Sequence, residues 1–177
     1  SGMFHWQELV NQRAKGELII NYLGGPEVVP GFDQMQAAVR GMINLTYGPT
    51  GYFPAVVPAL AANHLSYHSA AEERKIGYYD LALEAFKKAG LMYLGRGGTH
   101  YHNVFINISV ETPYDLVGKR VRSYADTNYF IKALGCAVIT MPMYDIYTAI
   151  ERSTIDGYIT SVLSVVPTRL IEVTKYY

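Results

Sequence analysis

Apolar residues along this chain follow two spacings, one typical of helices and the other of buried strands. Over residues 6–16 they recur at helical spacing and end at a glycine, which predicts a helix. The mostly apolar run over residues 18–23 then predicts a strand. The same order returns over residues 35–41 and 42–47, so the first part of the chain is predicted to alternate helix and strand.

A capping box marks the start of the next helix. Ser69 and Glu72 have the spacing at which a hydroxyl and a carboxylate each satisfy an unpaired backbone donor at a helix start. Apolar residues continue at helical spacing through Ile76 and as far as Gly90. This pattern predicts one long helix that ends at the glycine and is followed by a strand over residues 91–94.

The alternation continues through the second half of the chain. A predicted strand over residues 103–108 leads to Thr112 and Pro113, a cap and a first helical residue, and to a short helix that stops at Gly118. Further strands are predicted at residues 120–123, 137–140 and 155–159, with helices between them at residues 127–134 and 144–152. Such strict alternation predicts an α/β fold with a mainly parallel sheet covered by helices, whose ligands lie at the carboxyl ends of strands.

Charge and hydropathy narrow the function classes. The 15 basic residues balance the 15 acidic ones, so no broad positive field is available for nucleic acid or an anionic membrane surface. The apolar stretch over residues 52–62 contains Pro54 and Pro58 and falls short of the roughly 20 residues needed to span a bilayer. We therefore expect neither a nucleic-acid partner nor direct membrane insertion.

Cysteine content and the first residues bear on the compartment. Cys136 is the only cysteine, so an internal disulfide is excluded. The cysteine content does not decide the cellular compartment, because many exported proteins also lack disulfides. The opening residues have neither the basic nor the apolar region of a signal peptide. We expect either that such a peptide has been removed or that the sequence is an internal fragment.

The sequence contains no motif that is typical of catalysis or of cofactor binding. Residues 95–98 form a glycine-rich loop that lacks the spacing of a dinucleotide or phosphate-binding loop, and we interpret it as a turn. His100 and His102 lie on one face of a predicted strand, as in a metal site, but no third ligand is evident. We therefore predict no metal, no cofactor and no enzymatic activity.

The stretch from Val110 to Gly157 resembles the DctP-like, C4-dicarboxylate-binding proteins of TRAP (tripartite ATP-independent periplasmic) transporters. Four landmarks stand in the family's order: Thr-Pro-x-Asp-Leu-x-Gly at residues 112–118, Lys-Arg-Val-Arg at 119–122, a Met-Pro followed by Tyr-Thr-Ala at 147–149, and Ile-Asp-Gly at 155–157. Residues 24–27 and 39–45 also resemble the family's first domain, so the likeness covers nearly the whole chain.

The resemblance implies a two-lobed periplasmic-binding-protein-like fold of type II, of which this chain is a part. Residues 1–94 would form the first lobe without its first strand, and residues 95–177 the second lobe without its C-terminal part. It further implies a periplasmic receptor, its signal peptide removed, that closes on an organic acid by hinge motion. Two integral membrane subunits would then import the acid with the energy of an ion gradient.

Arg122 is the residue with the most specific implied role. In the family, the last arginine of the Lys-x-Arg strand forms a two-point salt bridge to the substrate carboxylate, and Arg122 stands at that position. A planar guanidinium suits this role because its paired donors match two carboxylate oxygens. The alternative is a surface arginine paired with Asp126 or Asp156.

Other candidate ligand contacts include two departures from the family. His102 stands where related proteins often carry a second basic residue, so a second carboxylate would be held less firmly. Thr160 stands where an asparagine is common, which implies a changed ligand. Further hydrogen bonds to the ligand are predicted from Tyr101, Asn103 and Tyr124 on one lobe and Thr50 and Tyr52 on the other.

Two other function classes share the predicted fold. A ligand-sensing domain of a signalling protein would bind the same kind of acid but would be attached to an output domain. An enzyme on the same scaffold would convert the acid. Fold alone does not name the ligand, so the identity of the acid stays open at this stage.

Overall fold

The computed structural model of the chain describes residues 2–59, 63, 66–98 and 101–176. By their contacts the residues form two compact units. The first comprises Ser1–Pro49, Ala55–Ala59 and Tyr67–Thr99, and the second comprises Thr50–Pro54, Leu60–Ser66 and His100–Tyr177. The assignment of lobes to residues 1–94 and 95–177 stays a prediction.

Helices of the first unit lie where the apolar spacing predicts them, with one difference. They are α1 Gly2–Arg13, α2 Gln34–Val39, α3 Ala70–Lys75 and α4 Tyr78–Lys88. The capping box is confirmed: the Glu72 backbone N–H donates to the Ser69 hydroxyl, and the Ser69 backbone N–H donates to the Glu72 carboxylate. The single long helix is wrong, because Gly77 has a φ of 84° and divides α3 from α4.

Three predicted strands of the first unit do not form. Residues 18–23, 42–47 and 91–94 have no strand structure. A strand needs a hydrogen-bonded neighbour, and the paired strands found among the described residues all belong to the second unit. Instead, Ile20 exchanges backbone hydrogen bonds with the side-chain amide of Asn11, which ties the segment to α1.

A four-stranded sheet with the strand order β1-β4-β2-β3 organises the second unit. Its strands are β1 His102–Ile106, β2 Arg120–Ser123, β3 Ala137–Thr140 and β4 Gly157–Ser161, and its helices are α5 Asn128–Ala133, α6 Ile146–Glu151 and α7 Val162–Val165. β2 runs parallel to both neighbours, whereas β1 is antiparallel to β4. The predicted α/β fold with a mainly parallel sheet is confirmed for this unit.

Both faces of this sheet carry a hydrophobic core. Phe105 and Tyr158 stack at 5.1 Å on one face and pack with α6. Val121 and Ile159 lie on the other and pack with Ile131 of α5. Because successive strand residues point to opposite faces, the short apolar strands are covered on both sides.

The connections after β2 and β4 leave in opposite directions. From β2 the chain passes through α5 to β3, on one side of the sheet order. From β4 it passes through α7 to Tyr176, whose backbone pairs with Ile106 of the edge strand β1. Where the connections of two adjacent parallel strands diverge, their carboxyl ends leave a crevice in which α/β proteins bind ligands. Arg122 lies in β2 at this place, with Tyr158 of β4 as its register partner.

An exposed ion pair holds the beginning of β2 to the turn before β4. Arg120 Nη2 lies 2.7 Å from Asp156 Oδ1, and the Arg120 backbone N–H also donates to Asp156 Oδ2 at 2.8 Å. These hydrogen bonds from Arg120 lower the pKa of the Asp156 carboxyl.

We expect this ion pair to make stability depend on pH. A carboxyl whose pKa is lower in the folded protein stabilises the fold above its unfolded pKa, and the contribution is lost as the pH falls through the folded pKa. The stability advantage of the wild type over Asp156→Asn should therefore be largest near neutral pH and shrink between about pH 5 and about pH 2. Urea unfolding across this range measures it, with Asp80→Asn on the exposed surface of α4 as the control. A pH-independent difference would contradict the assignment.

We expect the core under α5 to be sensitive to truncation. Ile131 is 0% exposed, whereas Tyr129 on the same helix is 85% exposed. Ile131→Ala should lower the free energy of unfolding by about 2–5 kcal/mol, because it leaves a cavity beside Val121. Tyr129→Ala should change it by no more than about 0.5 kcal/mol. Urea unfolding of both variants tests the assignment, which equal effects would contradict.

Candidate functional site

Arg122 is a buried cation without a salt-bridge partner among the described residues. Among the described residues, Glu73 and Arg122 are the two charged residues classed as buried, with exposures of 4% and 1%. Glu73 has its partner, Arg96, at 3.2 Å. Within the same described part of the chain, no carboxylate lies within ion-pair distance of Arg122. Burial lowers the pKa of Arg122, but a guanidinium stays protonated in proteins, so the positive charge remains.

The guanidinium of Arg122 donates to three neutral oxygens. Nε donates to the Met141 carbonyl at 2.8 Å and Nη1 to the Ile159 carbonyl at 3.2 Å. Nη2 donates to the Tyr52 hydroxyl at 3.0 Å. A guanidinium has five N–H hydrogens. These contacts therefore leave one hydrogen on each terminal nitrogen, which is the pair of donors that a carboxylate accepts in a bidentate bond.

The Tyr52 hydroxyl connects Arg122 to the loop after β3. Its oxygen also accepts a hydrogen bond from the Met143 backbone N–H at 2.8 Å. Tyr52 belongs to the short 3-10 turn Thr50–Tyr52 and is 8% exposed. The turn approaches β2 closely at Gly51, where an added Cβ would lie only 2.5 Å from the Tyr124 ring. A glycine at this position therefore allows Tyr52 to reach Arg122.

Tyr124 covers one face of the guanidinium. Its ring centroid lies 5.1 Å from Arg122 Cζ, and the ring meets that of Tyr52 edge-on at 5.8 Å. Its hydroxyl lies 2.6 Å from His102 Nε2. Burial raises the pKa of Tyr124 to about 12, so the phenol stays neutral under physiological conditions. The groups in direct contact with the Arg122 guanidinium are thus neutral.

The structure brings most of the predicted site residues together. Tyr52, Tyr124 and His102 form the contacts just described. Thr160 is 5% exposed, and its hydroxyl donates to the sulfur of Met143 at 3.8 Å. These five residues, with Arg122, are called the Arg122 cluster below: Tyr52, His102, Tyr124, Met143 and Thr160.

The other predicted contacts lie at its edge or outside it. The Thr50 hydroxyl donates to Asp126 Oδ2 at 3.2 Å. Asn103 is exposed on β1 and is the register partner of Thr160. Tyr101 is 94% exposed and therefore is not packed into the cluster. Direct contact of any of these residues with a ligand stays a prediction.

The alternative interpretation of Arg122 as a paired surface arginine is wrong. Asp156 is held by Arg120, which binds it through both its side chain and its backbone. Asp126 accepts a hydrogen bond from Thr50. Arg122 itself is almost fully buried, so it has neither the exposure nor the partner that this interpretation requires.

Sequence reasoning missed the groups that fix Arg122 in place. Two of them are the backbone carbonyls of Met141 and Ile159, which carry no residue-type signal. The third contact is the Tyr52 hydroxyl, which accepts from Arg122 and Met143. The predicted contact of Tyr52 with a ligand stays a prediction. The one sequence signal for these groups was the Met-Pro landmark, which marks the segment that contains both Met141 and Met143.

Other features of the surface do not supply a metal site. His100 lies outside the described residues, so its pairing with His102 is not described. Over residues 2–59, 63, 66–98 and 101–176 there is no group of three or more histidine, cysteine, aspartate or glutamate side chains that would hold a metal ion. Two surface depressions, one along α1 and one beside Asn107 and Glu172, are not lined by the Arg122 cluster.

Comparison with known protein families shows which family the chain belongs to. Residues 1–177 match the DctP family, described as bacterial extracellular solute-binding protein, family 7. The chain therefore belongs to this family, and the resemblance read from residues 110–157 is confirmed. The family consists of solute-binding proteins and not of enzymes, as predicted.

Solved structures share the fold. A TRAP periplasmic solute-binding protein from Desulfovibrio salexigens with bound orotic acid has a TM-score of 0.84 at 20% identity, over 98% of this chain and 58% of that chain. One from Sulfitobacter sp. NAS-14.1 with bound β-D-galacturonate has a TM-score of 0.79 at 21% identity, over 99% of this chain and 61% of that chain. The predicted fold class is confirmed by this likeness.

A relative found by sequence extends beyond this chain as well. The uncharacterized protein y4mM of Sinorhizobium fredii is 25% identical over 179 residues, which is 96% of this chain and 33% of the relative. The chain thus spans about 60% of the first solved structures and a third of this relative. In the part of the chain that the structure describes, no helix combines the length and the apolar character needed to cross a membrane.

We expect the Tyr52 hydroxyl to stabilise the second unit. Tyr52→Phe removes the acceptor of Arg122 Nη2 and of the Met143 N–H and so leaves two donors unsatisfied, one of them buried. The free energy of unfolding should fall by about 1–3 kcal/mol. Tyr67→Phe, at a fully exposed position, is the control and should have no effect. Urea unfolding measures both, and a neutral Tyr52→Phe would contradict the hydrogen bonding described.

Proposed function

We propose that this chain is the ligand-binding part of an extracytoplasmic receptor for an organic acid in a TRAP-type transport system, and that Arg122 binds the ligand carboxylate. The observation that carries the proposal is the burial of the Arg122 guanidinium, 1% exposed, with neutral acceptors only. The family membership supports the receptor role.

The energetics of a buried charge favour an anionic ligand. Removing a cation from water costs several kcal/mol, which the protein offsets here with three hydrogen bonds and an aromatic face. A carboxylate placed against the two remaining N–H hydrogens supplies the missing opposite charge. Its bonds are short and charge-assisted, and the fork fixes the orientation of the acid.

Two of the similar solved structures support this ligand chemistry. Their ligands, galacturonate and orotate, each carry one carboxylate on a ring with uncharged polar groups. The Arg122 cluster offers comparable partners for such groups in Tyr124, His102 and Thr160. Hydroxyl and imidazole groups hydrogen-bond to uncharged polar atoms, and the tyrosine rings pack against an organic skeleton.

Transport requires partners that pass the acid across the membrane. In a TRAP system these are the integral membrane subunits, and the receptor acts on the periplasmic side. The extracellular character of the family supports this placement. The chain then binds and releases its ligand without chemical change.

We expect carboxylate binding to depend on Arg122 and not on its neighbour in the same strand. A thermal-shift screen of organic acids, including galacturonate and orotate, selects the tightest ligand for isothermal titration calorimetry. Arg122→Ala should lower the affinity for that ligand at least about 30-fold, which is equivalent to about 2 kcal/mol of binding free energy. Arg122→Lys keeps the charge but loses the planar fork, and should weaken binding about tenfold.

Arg120→Ala and Arg120→Lys are the matched controls, because Arg120 is exposed and bound to Asp156. They should leave the affinity within about twofold of the wild type. Circular dichroism verifies that each variant is folded. A folded Arg122→Lys or Arg122→Ala protein that binds the acid like the wild type would refute the site.

A further inference from the structure

Few positive charges lie at the Arg122 cluster. Among the described residues of the second unit, Arg122 is the only buried cation. Arg120 and Arg169 are exposed and paired with Asp156 and Glu172. Lys119 is half-buried, and its charge lowers the pKa of Asp115 and of Asp156. Within the part of the second unit that the structure describes, the buried positive charge is therefore that of one guanidinium.

Acidic groups lie near the same cluster. Asp126 accepts from Thr50, packs at Gly51 and acts electrostatically on Tyr124. Asp145, two residues after Met143, acts on Arg122 itself. A second negative charge on a ligand held by Arg122 would thus meet phenols, hydroxyls and the imidazole of His102, with the carboxylates of Asp126 and Asp145 close by. Burying such an unpaired charge is unfavourable.

We infer that the site selects monocarboxylates whose other polar groups are uncharged, and that it discriminates against the corresponding dicarboxylates. The inference rests on the proposed function, since it assumes that Arg122 binds the first carboxylate. A sugar acid or a ring acid with hydroxyl, carbonyl or ring N–H groups has the required chemistry. For such a ligand, the single guanidinium balances the single charge.

Matched ligand pairs test the discrimination. Galactonate and galactarate share a carbon skeleton and differ only in whether the far end is a hydroxymethyl group or a carboxylate. Benzoate and isophthalate form a second pair. Isothermal titration calorimetry of the full protein, at neutral pH and low salt, should give an affinity at least about tenfold higher for the monocarboxylate of any pair that binds.

A variant with a second cation should reduce or remove the preference. His102 lies against Tyr124, so His102→Arg adds a positive charge at the edge of the cluster. The affinity for the dicarboxylate relative to its monocarboxylate should rise at least about tenfold. Tyr114→Arg, which adds the same charge at an 84% exposed position of the second unit outside the cluster, is the matched control and should leave the ratio unchanged.

The outcomes separate this inference from the proposed function. A dicarboxylate that binds as tightly as its monocarboxylate, with binding lost in Arg122→Ala, would overturn the selectivity and leave the function standing. If none of these acids nor any acid of the screen binds, the proposed function fails and the selectivity with it. Equal effects of His102→Arg and Tyr114→Arg would also overturn the inference, because they would show a response to net charge alone.

Discussion

The positive charge of Arg122, which is buried without a salt-bridge partner among the described residues, is the constraint on which the candidate site depends. Glu73, the other buried charge among the described residues, is neutralised by Arg96 at 3.2 Å. At Arg122 the protein supplies two carbonyl oxygens, one phenol and an aromatic face, which solvate the charge without cancelling it. Such an arrangement lowers the stability of the unliganded protein. Binding of an anion raises that stability again.

The fold of the second unit makes this arrangement possible. β2 carries Arg122 to the point where the connections of β2 and β4 diverge, and β4 contributes the Ile159 carbonyl from the neighbouring strand. Tyr52 comes from a distant part of the sequence and reaches the guanidinium because Gly51 has no side chain to keep the turn away. The site is therefore held by strand pairing and close packing, which favour a fixed orientation of its donors.

The sequence predicted those parts that depend on local spacing. The bounds of β2 and β3 were predicted correctly, and so was the Ser69–Glu72 capping box. Strands were also predicted at residues 18–23, 42–47 and 91–94, but none of them forms. Hydrophobic spacing shows which residues suit a strand, but it does not show whether a neighbouring strand is present to pair with. Arg122 was found through a motif, whereas its backbone acceptors at Met141 and Ile159 depend on tertiary structure that no residue type reveals.

A crystal structure of the protein bound to its tightest carboxylate ligand tests the central claim most directly. Both carboxylate oxygens should lie about 2.8 Å from Arg122 Nη1 and Nη2, one on each terminal nitrogen. The contacts of Arg122 with the Met141 carbonyl and the Tyr52 hydroxyl should be unchanged from those described here. A ligand whose carboxylate is held by other groups, while Arg122 keeps only its neutral neighbours, would contradict the account.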